Sequence, residues 1–344
     1  MWRILLTCAA VLLFSLAGAG KAPAVVPVMR VSLENTDDHM QTAIVRRFVQ
    51  QVNEQLQGRL KAVVYANARL FRDRDVVYAL AQGKVEMAVP GIWNIARIEP
   101  SVNLFMLPMF YGRAAQDTHT LLEGHVGQSV VTRIENATRS VVLGTWLDLG
   151  HAQLFTLKAP LDADRLVKGL HIRVAGGLGN EMRISALGGL PRIIAWPDLP
   201  SWLESGTVDG VLTTYETVVS ARLWEHGIRY AFEDRQYFAQ YVPLVNARFW
   251  AHLPGDVRHE LAALWNRAAL EGRKEAAAAQ EQAKKTLREN GVRITVPSAP
   301  ERRALRDRVL PAQDAIARAT HVDPALAAEA ATFLNSLEEA ASAP

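Results

Sequence analysis

The chain has 344 residues and a formal net charge of +3, with 49% hydrophobic and 21% charged residues. This length can bury a core large enough for two lobes, and the composition excludes a wholly disordered chain. The basic residues do not form runs interleaved with aromatic ones, so nucleic-acid binding has no support. The small positive charge suits an anionic ligand slightly better than a cationic one.

The first 24 residues have the pattern of a secretory signal peptide. An apolar run from Ile4 to about Ala19 follows a basic start, ends in small residues and is shorter than the ~20 residues of a spanning helix. Cleavage after Ala19 and cleavage after Ala24 both remain open, and an uncleaved anchor is the alternative. Cys8, the only cysteine, lies in this run, so the mature chain would have no disulfide and no thiolate chemistry. We expect a soluble, exported protein.

Alternating strands and helices are predicted directly after this segment. Residues 28–33 alternate in polarity as a strand does, residues 40–56 have helical spacing of apolar side chains, and residues 60–65 form a second strand. A short helix from Asp73 and a third strand at residues 87–89 follow. Helices between short strands predict a parallel sheet with helices on both faces.

The middle of the chain carries a helical pattern at residues 114–135 and a strand at residues 141–146. A strand at residues 154–157 is expected to cross into a second lobe. Further along, residues 230–234 and 241–246 are predicted as two strands that return toward the first lobe. Residues 256–289 then form one long helix, which ends at Gly291, before the terminal helices.

Arg173 is the strongest single candidate for a ligand contact. Leu170, Ile172 and Val174 alternate with polar neighbours, which indicates a short strand with one buried face and places Arg173 near its carboxyl end. Ligands bind at that edge of open α/β sheets, and a guanidinium offers a planar pair of donors to a carboxylate. The alternative is a surface or structural arginine.

Two patterns that could indicate a cofactor or a metal are weak. His119, Glu123 and His125 do not have the spacing of a zinc motif, so no metal is expected. The glycine-rich loop at residues 176–179 lacks the third glycine of a dinucleotide fingerprint and fits a tight turn beside a ligand cleft better. No cofactor is expected.

The stretch from Asp162 to Thr214 resembles the solute-binding proteins of tripartite ATP-independent periplasmic (TRAP) transporters, the dicarboxylate-binding-protein family. The matching positions stand in the family's order and spacing: Gly169, Leu170, Ile172, Arg173, Val174, Leu187, Gly188, Pro191, Trp196, Asp198, Leu203, Gly206, Val208, Asp209 and Gly210. Weaker matches in the first lobe are Leu70, Gly83 and Pro108.

The resemblance implies a fold and a partner. The fold is a two-lobed α/β periplasmic binding protein of type II, with parallel-rich central sheets flanked by helices, a hinge between the lobes and a long C-terminal helix that spans both. The expected segments are a signal peptide at 1–24, a first lobe at 25–149 plus 240–279 and a second lobe at 150–239 plus 280–335. The closed protein would deliver its ligand from the periplasm to the subunits of a TRAP membrane permease.

The resemblance also implies a set of ligand contacts: Arg173, Trp196, Thr213, Glu34, Trp93 and Gln236. In the family the strand arginine pairs with the substrate carboxylate. A carboxylate at Glu34 would repel an acidic ligand unless it contacts a hydroxyl group. Simple packing explains Trp196, Trp93 and Gln236 equally well.

One position departs from the family pattern. Many members have a second arginine two residues after the glycine that follows Trp146, and here that residue is Ala152. His151 could partly substitute, because an imidazole near a bound anion tends to be protonated. The loss of the second arginine argues for one carboxylate and an apolar or hydroxylated tail. The tryptophans near the predicted cleft, Trp93, Trp146 and Trp196, favour the same ligand.

We therefore expect that the protein binds its ligand with lobe closure and catalyses no reaction. Removal of the Arg173 side chain is the first test, and it should weaken binding. A C4-dicarboxylate is the alternative ligand, and a binding protein that reports to a membrane sensor is the alternative role. An exported enzyme is a third possibility, but the sequence has no Gly-x-Ser-x-Gly elbow, no His-Glu-x-x-His site and no catalytic cysteine.

Overall fold

The computed structural model describes residues 25–342, so the predicted signal peptide lies outside the described part of the chain. In chain order the strands are β1 (Val28–Ser32), β2 (Lys61–Tyr65), β3 (Met87–Ala88), β4 (Ser140–Val142), β5 (Leu147–Thr156), β6 (His171–Val174), β7 (Leu190–Ile193), β8 (Gly210–Thr213), β9 (Tyr230–Tyr241), β10 (Leu244–Asn246) and β11 (Arg293–Thr295).

The helices surround these strands. They are α1 (Met40–Gln55), α2 (Asp73–Ala81), α3 (Ile92–Ile95), α4 (Ala115–Glu123), α5 (His125–Thr138), α6 (Leu178–Ala186), α7 (Leu199–Glu204), α8 (Tyr215–Ser220), α9 (Ala247–His252), α10 (Gly255–Glu289), α11 (Ala299–Val309), α12 (Gln313–Ala319) and α13 (Pro324–Ser342). Short 3-10 turns occupy Pro100–Met106, Pro108–Phe110, Trp196–Asp198 and Leu310–Ala312. No helix within residues 25–342 is both long and apolar enough to span a bilayer.

The strands form two sheets, which confirms the predicted two-lobed α/β fold. The first sheet has the order β2-β1-β3-β10-β4, and β1 runs parallel to both β2 and β3. The second sheet has the order β11-β9-β5-β8-β6-β7, in which β6 runs parallel to β7 and β8. Met29 and Val31 of β1 are fully buried, because the alternating pattern of that strand turns them toward the helices.

Two long antiparallel strands, β5 and β9, form the centre of the second sheet and reach toward the first. Tyr241 at the end of β9 pairs with Gly91, next to β3. The sequence predicted strands at residues 230–234 and 241–246 and a shorter β5. In the structure β9 continues through residues 235–240, most of which are buried, and a separate short strand, β10, follows it.

The crossing strand β5 contains an irregularity at Gly150. The register with β9 shifts between Asp148 and Gly150, and Gly150 has φ +129°, a conformation that side-chain-bearing residues rarely adopt. The helix α10 passes close by, because Gln280 Nε2 donates to the Leu149 carbonyl at 2.7 Å. The bend of the crossing strand is therefore held against the long helix.

The helix α10 packs against both halves of the molecule, as predicted. It contacts α1 beside the first sheet and α8 beside the second. Gly272 allows a close approach here, since a Cβ at this position would lie 3.0 Å from the Ile44 side chain and 3.1 Å from Leu147. The predicted lobe boundaries, including residues 280–335 in the second lobe, stay a prediction.

One predicted helix is two helices. The pattern at residues 114–135 predicted a single element, but α4 ends at Glu123 and α5 begins at His125. Gly124 between them has extended backbone angles, φ −87° and ψ −171°, which interrupt the helical hydrogen bonds. The helix α13 packs across α4 and α5.

Candidate ligand-binding cleft

A cavity lies between the two sheets, where β1, β6 and β8 meet the crossing strands β5 and β9. Its free space is about 30 Å³, which is room for roughly two water molecules. The polar lining consists of Glu34, Asn35, Arg173, Thr213, Thr214 and Thr217, and the apolar and aromatic lining consists of Trp93, Leu149, Ala152, Ala175, Trp196, Leu212, Tyr237, Ala239 and Tyr241. A ligand of several carbon atoms can enter only if the two halves move apart.

Arg173 projects into this cavity from β6 and is 2% exposed. Its Nε donates to the Ile194 carbonyl at 3.0 Å, and its guanidinium carbon lies 5.6 Å from the centre of the Trp196 ring. The two outer nitrogens make no hydrogen bond or ion pair within residues 25–342. Burial lowers the pKa of Arg173, and the charges of Asp73 and Glu34 raise it in part. A buried cation is thus left with its best donors free for an anion.

Trp196 and Thr213 reach the cavity from the ends of adjacent elements of the second sheet. Trp196 begins the 3-10 turn after β7, and Thr213 is the last residue of β8. The next residue, Thr214, caps α8 by accepting a hydrogen bond from the backbone N–H of Thr217. Both predicted residues therefore stand beside Arg173 at the carboxyl ends of strands, where parallel sheets bind ligands.

Glu34 lies just beyond the end of β1 and faces Arg173 from the opposite half of the molecule. Its Oε2 accepts a hydrogen bond from Asn94 Nδ2 at 3.0 Å. Burial raises the pKa of Glu34 well above its usual value, and the charge of Asp73 and a hydrogen bond to Asp73 raise it further. The raised pKa favours the neutral form of Glu34, which repels an acid less than an ionised carboxylate would.

Aromatic side chains form the remaining wall of the cavity. Trp93 of α3 packs edge-on against Tyr241, with ring centres 5.5 Å apart. The indole Nε1 of Trp93 is buried and has no hydrogen-bond partner within the described residues. Tyr241 accepts a hydrogen bond from Asn35 Nδ2 at 2.7 Å, which holds its ring in place. A ligand oxygen beside Trp93 would satisfy the unpaired indole N–H.

Gln236 is not brought to the cavity. Its Oε1 accepts from Arg183 Nε at 3.1 Å, and its Nε2 donates to Asp234 Oδ2 at 2.8 Å. Asp234 also accepts from the Tyr111 hydroxyl at 2.7 Å. These buried hydrogen bonds join α6 to β9, so the packing alternative explains Gln236.

His151 does not substitute for the second family arginine. Ala152 lines the cavity, and His151, its neighbour in β5, lies in the extended strand with its Nε2 2.9 Å from the Arg113 carbonyl oxygen. Burial lowers the pKa of His151 to about 4, and the nearby charge of Arg235 lowers it too. The imidazole is neutral at pH 7 and bonded elsewhere, which corrects the expectation of a protonated partner for the ligand.

The sequence reasoning missed several cavity residues. Tyr237, Ala239 and Tyr241 share one face of β9, and the two-residue spacing between them was the available signal. This spacing did not lead to a prediction, because strands were expected at residues 230–234 and 241–246 and residues 237 and 239 fell between them. Asp73 had no such signal, since its contact with Glu34 joins residues far apart in the chain.

The histidines that could have indicated a metal are placed in other contacts. His119 Nε2 lies 2.8 Å from Asp148 Oδ2, and His125 Nδ1 lies 3.1 Å from Glu329. Within residues 25–342 no three His, Cys, Asp or Glu side chains come together as metal ligands.

Comparison with known proteins places the chain in a family. The family model described as bacterial extracellular solute-binding protein, family 7, matches residues 31–320. A curated relative, the C4-dicarboxylate-binding periplasmic protein DctP of Rhodobacter capsulatus, is 26% identical over 216 residues, which are 62% of this chain and 62% of the relative. The match thus spans under two thirds of that protein.

Two solved structures share the fold. The sugar acid binding protein DctPAm of Advenella mimigardefordensis, in complex with galactonate, has a TM-score of 0.83 at 20% identity and covers 91% of this chain and 99% of its own. A TRAP periplasmic solute binding protein of Ralstonia eutropha with bound (S)-2-acetolactate has a TM-score of 0.80 at 22% identity and covers 90% and 99%. Because the family model spans most of the sequence, this chain belongs to the family 7 bacterial extracellular solute-binding proteins.

Proposed function

We propose that this chain is the periplasmic solute-binding protein of a TRAP transporter and that it captures an organic acid through the carboxylate. The observation that carries this proposal is the buried Arg173, whose outer nitrogens have no partner within the described residues. Buried guanidinium donors without acceptors are costly inside a protein, and a carboxylate supplies two matching acceptors. The ligand therefore supplies the bonds that this site lacks.

Lobe closure provides the capture step. The cavity is formed by residues from both halves, including Glu34 and Trp93 on one side and Arg173 and Trp196 on the other. A ligand stabilises the closed form because it contacts both sides at once, whereas in an open form it would contact one. Binding needs no chemical step, which agrees with a family of solute-binding proteins.

The lining favours a monocarboxylate. Arg173 is the one cation among the described lining residues, and the position of the second family arginine is Ala152. The aromatic wall of Trp93, Tyr237 and Tyr241 suits an apolar or hydroxylated tail. The Advenella relative was solved with galactonate and the Ralstonia relative with 2-acetolactate, which each have one carboxylate. A C4-dicarboxylate would place its second charge against this wall.

The location and the partner follow from the family. We expect a cleaved signal peptide at residues 1–24, a mature protein in the periplasm, and delivery of the acid to the membrane subunits of a TRAP permease. Residues 1–24 lie outside the described part of the chain, so mass spectrometry of the mature protein is the direct measurement of the cleavage site. A mature N-terminus near residue 20 or 25 is the expected result.

A thermal-shift panel tests the proposal. Pyruvate, L-lactate, phenylacetate and D-gluconate represent monocarboxylates, and succinate represents dicarboxylates. A ligand at a hundred times its dissociation constant adds about 2.7 kcal/mol to the free energy of unfolding. We expect at least one monocarboxylate to raise the melting temperature more than succinate does, and the amide of that acid to have no effect. If the acid and its amide act alike, the carboxylate is not the recognised group and the proposal is wrong.

A further inference from the structure

A second acidic residue, Asp73, stands behind Glu34 in the wall of the cleft. Glu34 follows β1 and Asp73 begins α2, and the two side chains are 8% and 6% exposed. Their carboxyl groups are hydrogen-bonded to each other. Asp73 Oδ1 is buried and has no hydrogen-bond partner within the described residues. The hydrogen bond between the two carboxyls raises the pKa of Glu34 and opposes the rise of the pKa of Asp73, which favours Glu34 as the carboxyl that carries the proton.

Two buried carboxyl groups in contact cannot both be ionised, because the like charges repel at short distance. Burial raises the pKa of Asp73 as well as that of Glu34, and in Asp73 the hydrogen bond from Glu34 and the charge of Arg173 oppose that rise. These opposed effects favour one shared proton and one negative charge on the pair when the protein is free of ligand.

The charges around this pair determine what happens when an acid arrives. In the cavity the pair faces Arg173 together with the neutral hydroxyls of Tyr237 and Tyr241. Without a ligand, one negative carboxyl balances Arg173. A bound carboxylate adds a second negative charge to a buried site that has one cation. That imbalance is removed if the pair binds another proton.

A route for this proton runs outside the ligand cavity. A groove of about 410 Å³ adjoins the cavity, with Asp73, Asn94 and Ala175 in its wall. Ile193 at its edge is 58% exposed, so the groove is open to solvent. The other charged residues of the groove are Arg72, Arg74, Arg97 and Asp198. Asp73 can thus exchange protons with solvent while the cavity around Arg173 stays closed.

We infer that Asp73 is a further residue of the binding site and that the Glu34–Asp73 pair takes up one proton when an acid anion binds to Arg173. The inference rests on the proposed function. No covalent bond changes: the anion pairs with the guanidinium, and a proton from the buffer moves onto Asp73, so both carboxyls become neutral. Binding is then favoured by low pH even though the acid itself enters as an anion.

Calorimetric titration in two buffers measures the proton directly. Each acid of the panel that shifts the melting temperature is titrated at pH 7 in phosphate and in Tris, whose ionisation enthalpies differ. The buffer-dependent part of the binding enthalpy gives the number of protons taken up. We expect uptake of up to one proton, and a dissociation constant that rises by as much as about tenfold per pH unit above neutrality. Binding that releases or exchanges no proton overturns the inference.

The variant Asp73→Asn and a matched control identify the site. Asp73 and Asp75 both lie in the first turn of α2, but Asp75 is exposed and its side chain lies 3.9 Å from Arg74. We expect Asp73→Asn to bind the same acid with no proton uptake and little pH dependence, and Asp75→Asn to behave as the wild type does. Equal uptake in both variants would place the proton elsewhere and reject the role of Asp73.

Two further measurements separate this inference from the proposed function. If no acid binds, the proposed function fails, but infrared spectroscopy still tests the carboxyl pair. A protonated carboxyl band at pH 7 that Glu34→Gln removes supports the shared proton, and the lack of such a band contradicts it. If an acid anion binds and Arg173→Met abolishes that binding, but no proton is taken up, the inference is wrong although the carboxylate is recognised as proposed.

Discussion

Arg173 and Arg183 are two buried arginines with opposite bonding. Arg183 donates to Gln236 and Asn180, and it also donates to the Met106 carbonyl, so every part of its guanidinium has an acceptor. Arg173 has one such acceptor, the Ile194 carbonyl. Arg183 therefore stabilises the fold. Arg173 keeps donors available for a ligand at a cost in stability.

Replacing Arg173 by methionine separates binding from folding. Arg173→Met keeps much of the side-chain volume and removes the charge, so we expect acid affinity to fall on the order of a thousandfold, which is about 4 kcal/mol. The ligand-free variant should lose less stability than Arg183→Met does, because Arg173 donates one hydrogen bond within the described residues whereas Arg183 donates three. Calorimetry gives the affinity, and urea unfolding without ligand gives the stability.

The matched change Arg183→Met is the control. It leaves Gln236, Asn180 and a carbonyl without their donor, and we expect the free energy of unfolding to fall by roughly 2–5 kcal/mol. If both variants lose the same stability, Arg173 is a structural residue and its assigned role is incorrect.

His151 makes the stability of the fold depend on pH in the acid range. The folded-state pKa of about 4 lies below the ordinary value of 6.5, so the unfolded chain binds this proton first as the pH falls. Its contribution to stability is complete above pH 6.5 and is lost between pH 6.5 and 4, by up to about 3 kcal/mol. We expect His151→Gln to show a flatter pH dependence of unfolding, measured with urea at pH 7.5, 5.5 and 4.5.

Asp234 should change the stability of the fold with pH in the opposite direction from His151. Burial raises its pKa to about 6 from 3.8, so its contribution is present below pH 3.8 and is lost as the pH rises through 6. The stability of Asp234→Asn relative to the wild type should therefore increase between pH 4 and 6. If both variants change in the same direction over this range, the two residues do not titrate as their surroundings indicate.

Among the elements, the crossing strand β5 has the most unusual backbone. Gly150 lies at the bulge, and a Cβ there would lie 3.0 Å from the Gln280 side chain of α10. Gln280 in turn accepts from the backbone N–H of Glu216 at 3.1 Å, which is in the first turn of α8. One side chain of the long helix thus joins the bend of the crossing strand to an element that bears cavity residues.

The variant Gly150→Ala should destabilise the fold for two reasons that act together. The positive φ disfavours any side chain, and the new methyl group would push against Gln280, so we expect a loss of roughly 1–3 kcal/mol in urea unfolding and weaker acid binding. Gly58→Ala is the control, because Gly58 has φ +75° but nothing within 4 Å of a Cβ. A loss as large at Gly58 would show that the contact with Gln280 does not matter.

Over the whole molecule, contacts between the two halves define the closed form. Arg72 beside the first sheet lies 3.2 Å from Asp198 beside the second. On another part of the interface Glu216 accepts from the Met40 backbone N–H at 2.9 Å, and its Oε2 lies 3.1 Å from His39 Nε2. These contacts form when the halves meet, so they bias the opening equilibrium without touching a ligand.

Reversing the charge of Arg72 tests this bias. Arg72→Glu places a carboxylate against Asp198, and for an exposed pair we expect a cost of about 1 kcal/mol, which weakens acid binding about fivefold. Small-angle scattering should show a larger radius of gyration for the ligand-free variant. Arg74→Glu is the control, since within residues 25–342 the ion-pair partner of Arg74 is its neighbour Asp75. Equal effects of the two variants would indicate general electrostatics instead of lobe contact.

Local pattern was sufficient for much of the fold. The sequence predicted three features that depend on neighbours within one element. They are the alternation of β1 and β6, the helical spacing of α1 and α10, and the position of Arg173 near a strand end. The continuation of β9 through residues 235–240 was not predicted, because it depends on pairing with β5, which lies far away in the chain.

The sequence by itself determined the alternation of strands and helices and the family pattern, and it predicted Arg173 as the ligand-binding arginine. Tertiary structure decided that Asp73 meets Glu34, that Gln236 turns away from the cavity and that His151 stays neutral. The physical reason is the two-residue period of a strand. Neighbouring residues face opposite sides, so the register and twist of β5 and β9 determine which side chains reach the ligand, and both depend on pairing between distant segments.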